Sequence, residues 1–215
     1  MKVLRLLTLI AFFSGTFIVT KAQTFEGSIE FSKTIGPVEA KYIYHVKGDN
    51  IRVEELDESG DIQGIMLIDI MANKVIALSP ERQMYIDVPN RRKAREVNID
   101  YTKTSNVKDI HGYECQEWKV TSKDDGRTIV YWVADGKFGF FKGMLETLNR
   151  KDKMAVLFLN IEEIITGFPM EGQEVKSDGV ELTNLKVTSI LEKTLDNNMF
   201  VIPEGYTKFE RTANK

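Results

Sequence analysis

Apolar and polar residues alternate along the first half of the chain. Phe25, Gly27, Ile29 and Phe31 fall on one side of an extended segment, with Glu26, Ser28 and Glu30 on the other. Over 38–46 the same alternation sets Val38, Ala40, Tyr42, Tyr44 and Val46 against Glu39, Lys41 and His45. One wet and one dry face per segment predicts antiparallel strands, because strands covered on both faces read as continuous apolar runs. Gly48-Asp49-Asn50 and Glu58-Ser59-Gly60-Asp61 have turn chemistry, and Ile51 and Val53 continue the alternation between them. Residues 62–88 read as a three-strand meander over 62–70, 75–78 and 84–88. Its turns are Ala72-Asn73-Lys74 and Ser79-Pro80-Glu81; Pro80 has no amide hydrogen for a ladder and belongs in a turn. The polar stretch 90–106 predicts a loop with at most a short strand. Strands resume over 113–121 and 128–134, reversing at Asp124-Asp125-Gly126.

The period changes at Lys137. Phe138, Phe141, Leu145 and Leu148 recur at helical spacing, Phe140 and Met144 widen the stripe, and Lys142, Glu146, Asn149 and Arg150 occupy the remainder. The apolar run 154–165 fits a helix or a buried strand equally well, and Gly167-Phe168-Pro169 is expected to stop it. Strands follow near 171–176 and 180–193, then a short turn or helix over 196–200. Strands, a helical insertion and further strands make an α+β chain with antiparallel sheet dominant.

The residues before 23 stand outside this pattern. Lys2 and Arg5 precede an apolar stretch over 6–19, and Thr20 and Ala22 supply a small-x-small site before Gln23. About 14 apolar residues are too few for the ~20 of a membrane-spanning helix, so residues 1–22 read as a signal peptide cleaved between Ala22 and Gln23. The mature chain, 23–215, is expected to be a single domain with no transmembrane segment. Without Lys2, Arg5 and Lys21, 26 basic residues face 32 acidic ones, a net charge of about −6. Mild acidity argues against nucleic acid as a partner. Cys115 is the one cysteine, so an exported form has no internal disulfide and depends on its core.

The candidates for chemistry are few. His111 and Cys115 lie four apart, but on an extended strand four residues span about 13 Å, which separates the pair. His45 belongs to a wet strand face. Glu54, Glu55, Asp57, Glu58 and Asp61 lack the D-x-D-x-D-G order of a calcium loop, and two histidines with one cysteine make no zinc set. Arg91, Arg92, Lys93 and Arg95 form a basic cluster whose plain reading is a solvated loop. No phosphate loop, nucleophile elbow or metalloprotease motif occurs, so no catalytic residue, metal ligand or cofactor is assigned. The unusual feature is apolar. The stripe 138–148 and the run 154–165 form either solid core against the sheet or a lid over a ligand cavity.

Phe25-Glu26-Gly27, Leu78-Ser79-Pro80-Glu81 with Met84-Tyr85, Ile110-His111-Gly112-Tyr113-Glu114-Cys115, Val130-Tyr131-Trp132-Val133, Gly167-Phe168-Pro169 and Phe200-Val201-Ile202-Pro203-Glu204-Gly205-Tyr206 carry a resemblance. In these segments the mature chain resembles the exported bacterial family known as domain of unknown function 4412, typical of Gram-negative Bacteroidota. The resemblance implies a fold like the LolA and LolB lipoprotein carriers: an open, curved antiparallel half-barrel whose concave apolar face is covered by helices. It brings no catalytic residues, and it implies a periplasmic or secreted location in a Gram-negative bacterium.

The leading expectation is a non-enzymatic binder of an apolar ligand, a lipid or an acylated peptide. Tyr42, Tyr44, Met66 and Ile68 would form the concave wall, and Phe138, Phe141, Met144, Leu145 and Leu148 would gate it. The alternative is an envelope interaction or structural domain with a solid core, meeting its partner at the loop of Arg91–Arg95. A hydrolase built on Cys115 is the weakest reading.

Overall fold

The structure, a computed structural model, describes residues 24–89, 97–149 and 151–210. The expected leader with its Ala22–Gln23 cleavage site, and the basic cluster at Arg91, Arg92, Lys93 and Arg95, lie outside the described residues. The alternating segments become β1 (Glu26–Ile35) and β2 (Val38–Lys47), paired with Ile29 opposite Tyr44 and Phe31 opposite Tyr42. β3 (Asn50–Leu56), β4 (Ile62–Asp69), β5 (Lys74–Ser79) and β6 (Met84–Asp87) extend this as a meander. The second half contributes β7 (Ile99–Ile110), β8 (Tyr113–Ser122) and β9 (Thr128–Ala134), then helices α1 (Phe140–Leu148) and α2 (Lys153–Leu159). β10 (Phe168–Val175), β11 (Glu181–Glu192), a 3-10 turn at Asn197–Phe200 and β12 (Thr207–Lys208) follow.

Among the described residues, the twelve strands belong to one sheet, in the order β12-β6-β5-β4-β3-β2-β1-β11-β10-β9-β8-β7. Every pairing is antiparallel except that of β12 with β6. The fold is the expected α+β half-barrel: a large, open, curved sheet with two helices.

Two sequence expectations are corrected and one open reading is resolved. First, much of the predicted loop over 90–106 is strand, since β7 begins at Ile99 and runs for twelve residues. β7 is an edge strand with mostly exposed positions, so Ile99, Tyr101 and Ile110 alone pack apolar side chains on the core, and a register shift between Lys103 and Val107 breaks the alternation further. Second, the ambiguous run 154–165 is a short helix followed by turns. The Asp152 carboxylate caps α2 by accepting from the amides of Met154 at 2.9 Å and Ala155 at 3.3 Å, which starts a helix rather than a strand. Third, the apolar run stops before Gly167 as expected, but β10 already begins at Phe168, ahead of the strand expected near 171. The register shift between Pro169 and Glu171 accommodates a residue without an amide hydrogen. The β7–β8 turn is sharp because His111 and Gly112 both adopt positive φ, 54° and 80°, the geometry of a two-residue turn that matches strand twist.

The core lies between the concave face and the helices. Phe140, Phe141, Met144 and Leu145 of α1 are buried against it, together with Phe25, Phe138, Phe158 and Phe168. α1 comes close to the sheet at Gly143, where a Cβ would sit 3.0 Å from the Ile70 side chain. Burying those four α1 side chains is worth roughly 1.5–3 kcal/mol each. Lifting α1 off the sheet would therefore cost on the order of 6–12 kcal/mol, comparable with the whole stability of a domain.

The opposite face is crossed by the chain after β11. Leu195 donates its amide to Glu26 Oε1 at 2.9 Å and accepts from Lys47 Nζ at 2.6 Å. Arg52 Nη1 donates to the Met199 carbonyl at 3.3 Å. Ile202 and Tyr206 pack on Ile65, Leu67 and Leu78, and β12 then pairs along β6.

Candidate ligand-binding site

Between the concave sheet and the helices lies a cavity of about 250 Å³. Its floor alternates along the strands: Phe31, Lys33 and Ile35 from β1, Tyr42 and Tyr44 from β2, Val53 from β3 and Met66 from β4. Tyr131, Pro169 and Leu185 complete the floor. The roof is Phe141, Leu145 and Leu148 from α1, with Asp152, Met154, Ala155 and Phe158 at α2.

Aromatic contacts fix these walls. Phe31 stacks on Tyr42 with centroids 5.3 Å apart and meets Tyr44 edge-on at 4.6 Å. Phe158 packs edge-on against both Tyr131 and Phe141. The buried Tyr131 hydroxyl donates to the Met154 carbonyl at 2.6 Å, which ties α2 to β9. Burial, together with the Asp152 and Glu174 charges, holds the Tyr131 hydroxyl well above its usual pKa, so it stays a donor.

Of the nine residues expected at a ligand site, the structure brings six together around this cavity: Tyr42, Tyr44, Met66, Phe141, Leu145 and Leu148. The other three, Ile68, Phe138 and Met144, do not line it and are buried in the packed core. Segment 138–165 is thus core and roof at once. One set of its side chains plugs the half-barrel, and another faces the remaining space. Sequence reasoning missed Phe31, Lys33, Ile35, Val53 and the residues from β9, β10, β11 and α2. Lys33 did carry a signal, as a charge at a dry-face position of the series Ile29, Phe31, Lys33, Ile35. Asp152 carried one too, as a capping residue ahead of an apolar run.

Lys33 and Asp152 are the charged residues among the described lining residues, and they form an ion pair with each other. Their side chains retain 15% and 30% exposure, and Ile35 beside them 57%, so they mark the mouth of the cavity; Tyr131 and Phe158, each 1% exposed, mark its depth. An engineered apolar cavity of ~150 Å³ accepts benzene. The present one is large enough for a ring or a single acyl arm, and lies just below the ~300 Å³ at which drug-sized ligand pockets begin.

The other candidates resolve into local structure. His111 Nε2 meets the Val187 carbonyl at 3.0 Å, while Cys115 Sγ donates to the Tyr113 carbonyl at 3.3 Å. Burial pushes the Cys115 thiol up to about 11, opposite to the shift that activates a nucleophile. Asp57 organises its turn, accepting from the amides of Ser59 and Asp61 at 2.9 Å each. His45 is corrected from a solvated position. Its side chain is 12% exposed and bridges Ser28 and Glu54 beneath the segment after β11. Among the described residues, no group of three or more His, Cys, Asp or Glu is arranged to hold a metal ion. No helix there is long and apolar enough to cross a membrane.

Sheet, helices and cavity together define an α+β half-barrel protein with a partly filled concave face. The profile of the family described as "Domain of unknown function (DUF4412)" matches residues 25–206, and the chain belongs to that family. No curated protein sequence matches it. Among solved structures, an uncharacterized conserved protein from Thermus thermophilus superposes with a TM-score of 0.53 at 11% identity, over 86% of this chain and 89% of that one. That likeness shows the fold. A chain of the Pseudomonas aeruginosa MucA/MucB complex gives 0.46 at 11% identity, over 81% of this chain and 54% of its own. A putative outer membrane lipoprotein-sorting protein domain from Vibrio parahaemolyticus gives 0.34 at 10% identity, over 81% and 87%.

Proposed function

We propose that this chain is an exported, non-enzymatic protein that holds one arm of an apolar ligand, an acyl chain or a group of similar girth, between its concave sheet and its helices. The supporting observation is the cavity itself. Phe31, Tyr42, Tyr44, Met66, Phe141, Leu145 and Phe158 surround space left open by an otherwise well-filled core. A gap lined by apolar groups forfeits dispersion contacts that a bound chain would restore. The residues before Gln23, with their short apolar run and small-residue cleavage site, support export. The test is native mass spectrometry of the purified mature chain, before and after titration with an envelope lipid extract. One apolar ligand per chain is expected. No adduct at any lipid concentration would overturn the reading in favour of a solid-core interaction domain.

A further inference from the structure

The mouth of the cavity bears a charge pair that an apolar ligand alone does not call for. Lys33 occupies the dry face of β1, between Phe31 and Ile35, where alternation and burial both favour an apolar side chain. Its partner Asp152 has a second attachment, the amides of Met154 and Ala155 that it caps. If the pair separates, the Asp152 carboxylate keeps two hydrogen-bond donors. Lys33 keeps no other partner among the described contacts, so it is the exchangeable member. The roof cannot swing open at modest cost, because α1 is fixed by Phe140, Phe141, Met144 and Leu145. A ligand must therefore enter at the mouth, tail first, with its head left beside Lys33.

Resting on the binding reading above, we propose that the ligand is a single-chain amphiphile with an anionic head, and that Lys33 is its head-recognising residue. The tail fills the space between Phe31, Tyr44 and Phe158. The head takes the Lys33 ammonium from Asp152, which its helix amides continue to hold. A charge-assisted contact of this kind is the stronger class of hydrogen bond, and the partly enclosed mouth screens it less than open water does. The space admits one chain, which disfavours a ligand that must bury two.

The experiment measures binding of decanoate, decyl phosphate, 1-decanol and decyltrimethylammonium to the mature chain by calorimetry, with native mass spectrometry for stoichiometry. Both anions are expected to bind about ten- to a hundredfold more tightly than the alcohol, with the cation weakest. Comparison of the two anions distinguishes a carboxylate head from a phosphate head. Lys33→Gln should remove the anion preference and leave alcohol affinity within about threefold. Asp152→Asn, which still caps α2, should raise anion affinity several-fold by releasing Lys33. Equal affinity for anion and alcohol in the unaltered chain would overturn the proposal, as would an anion preference that survives Lys33→Gln. Should Lys33→Gln fail to fold, an Asp152→Asn variant with unchanged anion affinity would overturn it too. Failure of all four probes to bind would instead overturn the binding reading itself.

Discussion

His45 Nε2 lies 3.3 Å from Oε2 of Glu54, on the sheet face turned away from the helices. The His45 Nδ1 and the Ser28 hydroxyl are 2.8 Å apart, and Arg52 Nε donates to the other Glu54 oxygen at 2.6 Å. The four residues come from adjacent strands, since Ser28, His45 and Arg52 sit directly opposite one another across β1, β2 and β3. Burial raises the Glu54 pKa, but the hydrogen bonds from His45 and Arg52, with their charges, outweigh it and hold the carboxyl below its ordinary 4.5. In acid the unfolded chain therefore binds a proton that the folded one resists. This contribution to stability is complete above an unfolded value of about 4.5 and is lost as pH falls through the lower folded value. The melting temperature should fall over that window. Glu54→Gln should flatten the fall and lower stability near neutral pH by about 2–4 kcal/mol. Thermal melts from pH 3 to 7 check this, and identical acid slopes in both proteins would assign the effect to another carboxylate.

Filling the cavity should separate binding from stability. Ala155 lines it from α2 and is only half-buried. Ala155→Leu extends a side chain into existing space, so the fold should change in stability by less than about 1.5 kcal/mol. Ligand affinity should fall at least tenfold. Calorimetric titration beside a denaturation curve reads both quantities, and undiminished affinity would place the ligand elsewhere.

Tyr131→Phe should loosen the roof selectively. It leaves the buried Met154 carbonyl without its 2.6 Å donor, an expected cost of about 1–3 kcal/mol. Hydrogen exchange should quicken in α2 before it quickens in the central strands. Uniform acceleration would mean that α2 is held chiefly by its apolar contacts.

Cys115 should be silent toward thiol reagents while the chain is folded. Its side chain is buried, and its pKa is pushed up to about 11. Labelling with a maleimide should track unfolding across a denaturant series. Rapid modification of the native protein would contradict that burial.

The strands were legible in the sequence wherever one face is dry. β1 and β2 alternate because Ile29, Phe31, Tyr42 and Tyr44 meet the concave interior, whereas the continuous apolar run Ile65-Met66-Leu67-Ile68 of β4 marks a strand covered on both faces. β7 was not legible, because an edge strand has few buried positions to impose a pattern. The cavity was half legible for the same reason. Tyr42, Tyr44 and Met66 share an alternating face, and Phe141, Leu145 and Leu148 share a helical stripe. Which of several dry positions borders open space depends on how α1 and α2 settle on the sheet. No periodicity distinguishes Met144, packed solid, from Leu145 beside it at the cavity. His45 was misjudged because the segment that covers it arrives about 150 residues later in the chain.

That covering segment should itself contribute to stability. Tyr206→Ala removes a ring packed on Ile65, Leu67 and Leu78. A loss of about 1–3 kcal/mol is expected, without effect on ligand affinity, because the cavity lies on the other side of the sheet. Reduced affinity in this variant would reveal that the two faces are coupled.

The pairing of β1 with β11 governs how this molecule can be made. Ile29 meets Ile190 across the middle of the sheet, about 160 residues away in sequence. Each meander is local, but the seam between them waits for nearly the whole polypeptide. High contact order of this kind slows folding and leaves strand edges uncovered in the interval. A chain emerging from its amino end would keep β1 unpaired on one side until β11 appeared. Assembly is therefore expected to finish after synthesis or transport rather than during it.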